Sequence, residues 1–171
     1  GTNLTKYFSN MDVRDFSWWP LFYGGSMLVF VLLFGFIGDA TTKAIRWLSL
    51  LAAVTFLMDG VGTGCTWAHF VSYPWGLYLI SSLQGPSCGA IDVIGMMLVA
   101  AMGLDKTQSE TLVHALYMLA YVPSAVFLTG LTIGDNLELI ATISGVFTAA
   151  GAVPFVIAYL TWDESGRHLQ S

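Results

Sequence analysis

Five stretches of about 20 or more mostly apolar residues divide this chain, at 18–38, 44–68, 76–103, 112–133 and 138–161. Each is long enough to cross the hydrocarbon core of a bilayer as a helix. In lipid the backbone must satisfy its own N–H and C=O groups, so continuous apolar runs of this length fold as helices. The expected fold class is therefore all-α, a polytopic integral membrane protein with a bundle of about five transmembrane helices and short loops. It forms one domain over residues 1–171, with no internal repeat. Charged residues make up 10% of the chain and hydrophobic ones 56%, whereas about a quarter of a soluble domain is charged. Six basic residues, scattered along a chain of net charge −5, exclude nucleic acid as a partner. The expected partners are the lipid bilayer and other membrane subunits.

The breaks between spans carry turn and interface chemistry. "FSWWP" opens the first span, with Trp18 and Trp19 at headgroup level and Pro20 in the first helical turn. In "GDATTKAIRW", Gly38 ends one helix, Asp39 or Thr41 caps the next, and Lys43, Arg46 and Trp47 sit at the membrane edge. "HFVSYPWG" separates the second span from the third, and "GLDKTQSETL" the third from the fourth, with Ser109 or Thr107 as N-cap. "IGDNLEL" turns into the fifth span, which closes at the polar tail "TWDESGRHLQS".

Lys43, Arg46, Lys106 and Arg167 fall on one side of this topology, Lys6 and Arg14 on the other. The basic side faces inward, which places the N-terminus outside or in a lumen and the C-terminus inside. An organellar inner or thylakoid-type membrane is the expected location. The chain opens at Gly1 rather than methionine, read as the start of a processed product, and "NLT" at 3–5 is taken as a chance match to a glycosylation sequon.

The segment "SSLQGPSCGAIDVIG", residues 81–95, raises a sharper question, because it puts a glutamine, a proline, three glycines and an aspartate into an apolar span. Small residues let helix backbones approach where lipid supplies no hydrophobic drive for association. Gly60, Gly62 and Gly64 in "DGVGTGC", with the small-xxx-small pair Gly85 and Gly89, predict close packing of the second helix on the third. Pro86 removes a backbone donor and predicts a kink there, acceptable only where the segment faces protein.

Asp59 lies about 20 Å along the second span from Ala44, and Asp92 about as far along the third from Gly76. Acids at such depth are functional-site candidates by default. Antiparallel helices would place the two toward opposite membrane faces rather than as a carboxylate pair. Each is either a stage in a proton or ion path or a protonated or hydrogen-bonded structural group. In the second case Thr55, Thr63 or Thr66 would serve Asp59, and a neighbouring subunit would serve Asp92. His69 and His114 lie at opposite ends of the topology and cannot share one haem iron, and His168 is in the tail. Cys65 and Cys88 lack metal or CxxC spacing and read as small buried side chains. No catalytic motif and no metal site is present in the sequence, and it assigns no cofactor.

"WGLYLISSLQGP" resembles the third helix of microbial rhodopsins in the placing of Trp75, Tyr78 and Pro86, and "YVPSAVFLTGLTIGDNLELI" is similar to that family's last two helices. Leu77 stands where that pattern has arginine, Ile80 where it has the counter-ion carboxylate, and the fifth span has no lysine to carry retinal. The resemblance therefore implies no covalently bound retinal.

Three functions are consistent with these residues. The first is a non-catalytic accessory subunit of a larger membrane complex, respiratory or photosynthetic. The second is a small proton, ion or solute transporter or channel that uses Asp59 and Asp92. The third is a membrane protein binding a pigment, quinone or other cofactor, motivated by six tryptophans and seven tyrosines.

Overall fold

The structure, a computed structural model, describes residues 12–40, 44–69, 73–133 and 136–162. Among these residues the regular structure is helical throughout. It comprises α1 (Val13–Ala40), α2 (Ala44–His69), α3 (Pro74–Ala90), α4 (Met96–Ala101), α5 (Lys106–Ile133), α6 (Leu137–Ala150) and α7 (Val153–Thr161). Four helical stretches are long and apolar enough to cross a membrane: Ser17–Ile37, Ala44–Gly64, Pro74–Ala101 and Glu138–Thr161. The remaining expected span, 112–133, lies inside the 28-residue helix α5. The chain is an all-α membrane bundle.

Polar side chains extend the helices beyond their apolar runs. Helix α1 begins at Val13, where the Asp12 amide donates to Asp15 Oδ2 at 2.9 Å, so that an acid at the third helical position closes the first turn. Pro20 is therefore within the helix rather than in its first turn, and α1 also continues through Gly38 and Asp39 to Ala40. Helix α3 starts with Pro74 at its first positions, which suits a residue without an amide hydrogen. Neither Thr107 nor Ser109 caps α5: the Gln108 amide donates to Asp105 Oδ1 at 2.9 Å. At α6 the Leu139 amide donates to Asn136 Oδ1 at 3.0 Å.

Helix α2 is the centre of the bundle and packs on α3, α6 and α7, while α1 lies along α3 and touches α2 only lightly. The glycines explain this arrangement, and they differ from the expectation that they join the second helix to the third. A Cβ on Gly60 would stand 2.5 Å from Gly145 O and 2.6 Å from Ala149 N, and one on Gly145 would stand 2.5 Å from Gly60 O. These two glycines bring α2 and α6 into backbone contact. A Cβ on Gly85 would overlap Ser26 Oγ and lie 2.6 Å from Met27 N, and Gly89 faces Val31, so this small-xxx-small pair seats α1. Only Gly62, against Leu83, serves the α2–α3 contact. Gly64 is roomier, with Thr142 Cα at 3.9 Å.

An apolar core fills the half of the bundle where α1 ends and α2 begins, with Phe34, Leu48, Phe56, Ile94 and Phe155 all buried. Phe56 stacks on Phe155 with ring centroids 5.5 Å apart. Arg46 fastens the same end: its Nε donates to Tyr159 O at 3.2 Å and its guanidinium lies 5.0 Å above the Tyr159 ring. That carbonyl belongs to the last turn of α7, where a cation is favourable.

Two spans depart from regular α geometry. The third runs through the buried Pro86 and changes at Ile91–Gly95 to a π turn joining α3 to α4. A π turn widens the hydrogen-bonded ring by one residue. The last span breaks between α6 and α7, because Pro154 cannot donate to Ala150 O. The amides of Gly151 and Ala152 bond three residues back, to Thr148 O and Ala149 O, each at 3.0 Å.

Candidate functional site

Buried polar side chains gather on the facing helices: Ser49, Thr55, Asp59 and Thr63 on α2, Ser81 and Ser87 on α3, and Ser144 on α6. The hydroxyls of Ser49, Thr55 and Ser81 bond to carbonyls of their own helix, Ile45 O at 2.8 Å, Ala52 O at 2.7 Å and Leu77 O at 2.7 Å, a common way for helical serine and threonine to be satisfied. A carboxyl group cannot meet its needs in this way and relies on its neighbours.

Asp59 is 4% exposed. Thr63 Oγ1 lies 3.2 Å from its Oδ1, one turn along α2, and Ser87 Oγ lies 2.6 Å from its Oδ2, across the interface with α3. Ser87 Oγ is also 2.9 Å from Gln84 O. Of the partners expected for Asp59, Thr63 is present, Thr55 is committed to Ala52 O, and the Thr66 side chain is outside the described residues.

Asp92 sits in the π turn and is half-buried. Its Oδ1 accepts from the Tyr117 hydroxyl on α5, a partner within this chain. The two acids are also closer in depth than their distances along the spans implied. Gly62 faces Leu83 and Asp59 meets Ser87, which fixes the antiparallel register of α2 and α3. Ser87 precedes Asp92 by five residues, about 8 Å along a helix. Cys88 falls between Ser87 and Asp92 in the chain, and its Sγ accepts from the Tyr23 hydroxyl of α1 at 3.3 Å. Each acid nevertheless has its own hydroxyl partners, and the two do not form a shared pair.

The sequence singled out Asp59, Asp92, Gly60, Gly62, Gly64, Gly85, Gly89 and Pro86, and missed Ser87, Tyr117 and Tyr23. Each stands in the apolar run of a different helix. A hydroxyl there does not reveal which group it meets. Trp75 stacks on Tyr73 at 6.1 Å. Tyr78 stacks on Phe22 at 4.6 Å and donates to Asp15 O at 3.3 Å, so it anchors α3 beside the start of α1.

His114 is exposed, with Nδ1 2.7 Å from Glu110 O one turn back. The side chains of His69 and Cys65, and all of His168 and Asn3, lie outside the described residues. Among the described residues no group of three or more His, Cys, Asp and Glu is placed to hold a metal ion. Comparison of the chain with protein-family models, with curated proteins and with solved structures finds no match.

Proposed function

We propose that the chain is a non-catalytic accessory subunit of a larger membrane assembly, of respiratory or photosynthetic type, in which the intramembrane acids act as interhelical hydrogen-bonding groups. The observation that carries this reading is how the acids are used: Asp59 ties α2 to α3 through Ser87, and Asp92 ties the π turn to α5 through Tyr117. Polar contacts of this kind hold helices together in lipid, where apolar side chains gain nothing by leaving the hydrocarbon. The outer face of α1 suits lipid or neighbouring spans equally, with Leu21, Leu28, Val29, Leu32 and Phe36 exposed. An organellar inner or thylakoid-type membrane, with the N-terminus outside or lumenal, completes the reading and rests on the distribution of basic residues. Native mass spectrometry of the protein, extracted from its source membrane in mild detergent, tests it. Other chains bound beyond the 18.5 kDa of this one are the expected result, and a lone monomer would overturn the reading.

A second reading, a small proton or ion transporter, is favoured by one specific observation. Asp59 of α2 meets Ser87 of α3, Asp92 follows Ser87 by five residues on the third span, and Asp92 lies in a π turn, an irregularity frequent at functional sites. Flux in liposomes tests it: rates unchanged in both Asp59→Asn and Asp92→Asn would remove the transport role.

A further inference from the structure

Ser87 has one hydroxyl hydrogen and two oxygens within hydrogen-bonding distance, Asp59 Oδ2 at 2.6 Å and Gln84 O at 2.9 Å. A hydroxyl donates once and accepts up to twice, an ionised carboxylate only accepts, and a protonated one also donates. With Asp59 ionised, one of the two contacts lacks a hydrogen of its own. With the proton on Oδ2, both are complete: the acid donates to Ser87 Oγ, and Ser87 donates to the Gln84 carbonyl. Thr63 donates to Oδ1 in either state.

The surroundings agree. Asp59 is buried, and among the described residues its bonded partners are the two hydroxyls, with no cation. On α3 the residue after the contacting Ser87 is Cys88, and the nearest acid along that span is Asp92, five residues on in the π turn. From α6 the neighbouring seam is built of Gly145 and Ala149. Arg46 is thirteen residues away on α2, about 20 Å along the helix. An unpaired charge in such a place is expensive, and the group neutralises instead.

We infer that Asp59 is a proton-binding site, a neutral carboxylic acid whose Oδ2–H begins a directed chain of hydrogen bonds through the Ser87 hydroxyl to the Gln84 carbonyl. Ser87 is the positioning residue: its hydroxyl gives the acid an acceptor and is itself satisfied on α3. The inference depends on neither functional reading, because a neutral acid can clamp two helices or exchange its proton.

The test is the infrared spectrum of the full chain reconstituted in lipid at neutral pH, in the region of the protonated carboxyl C=O stretch. The expected result is a band that moves in D2O, persists in Asp92→Asn and is absent in Asp59→Asn. Loss of carboxylate absorbance in Asp59→Asn, with the protonated region unchanged, would overturn the inference. Should Asp59→Asn fail to fold, Ser87→Ala decides the matter. Removing the acceptor shifts the Asp59 band to higher frequency if the chain of bonds exists, and a band that stays in place refutes it. Native mass and liposome flux are separate measurements, so a failure here is distinguishable from a failure of either functional reading.

Discussion

Replacing Gly60 by alanine adds a single carbon at the tightest seam of the bundle. That carbon would stand 2.5 Å from Gly145 O, 2.6 Å from Ala149 N and 2.7 Å from Ala149 Cβ. Two of the three atoms are backbone, so no rotamer change relieves the overlap. Ordinary contact between such atoms is about 3.5 Å, and the α2–α6 seam must open by about 1 Å to reach it. A gap of that size forfeits roughly a quarter to a half of the dispersion energy across it. If the seam holds about as many atom pairs as one buried leucine, roughly 50 at 0.1–0.2 kcal/mol each, the loss is about 3 kcal/mol. Alanine's better helix propensity offsets about 1 kcal/mol, leaving a destabilisation of about 2 kcal/mol, within the usual range for overpacking.

The matched control is Gly24→Ala on α1, where a Cβ meets nothing within 4 Å and the propensity gain of about 1 kcal/mol stands alone. Reversible unfolding of both variants in mixed micelles, followed by tryptophan fluorescence and far-UV circular dichroism, measures the difference. If Gly60→Ala and Gly24→Ala agree within about 0.5 kcal/mol, the scatter of neutral substitutions, backbone contact between α2 and α6 is refuted.

Three further outcomes are expected in the same assay. Gly85→Ala should cost about 2 kcal/mol by lifting α1 from α3, while Gly64→Ala, with its nearest neighbour at 3.9 Å, should gain about 1 kcal/mol, as at Gly24; equal losses at the two sites would contradict the packing of α1. A double-mutant cycle of Asp92→Ala with Tyr117→Phe should give a coupling of about 0.6 kcal/mol and not more than about 1.7, the range for side-chain hydrogen bonds between membrane helices, and zero coupling would remove this contact. Gly103, between α4 and α5, has φ 63°; Gly103→Ala should cost about 1–2 kcal/mol and Gly103→Asn less, and equal effects would count against a left-handed turn.

Much of the architecture was legible in the order of residues, because membrane insertion depends on local sums. A run of apolar residues crosses lipid whatever its neighbours are, and aromatic and basic residues mark its ends. Helix boundaries were less legible. Apolar content set the expected starts at 18 and 112, whereas capping by Asp15 and Asp105 carries α1 and α5 back to Val13 and Lys106. The acids could be recognised as candidates from depth alone, since a carboxyl group inside a span is costly wherever it points.

Partners were not legible, because they depend on rotation and register between helices distant in the chain. Gly85 and Gly89 meet α1, and Gly60 meets α6, although the glycines of α2 and α3 lie in consecutive spans and invite pairing with each other. A small residue announces a close approach without specifying the neighbour. The same holds for Asp59 and Asp92: a one-residue change of register between α2 and α3 would turn Ser87 away, by about 100° of helix rotation. The sequence by itself determined that this chain lives in lipid, where four of its spans lie, and which groups are costly there. Only the tertiary structure decided which hydroxyl answers each acid and which backbones touch, because those outcomes are fixed by shape fit summed over many weak contacts between segments far apart in the chain.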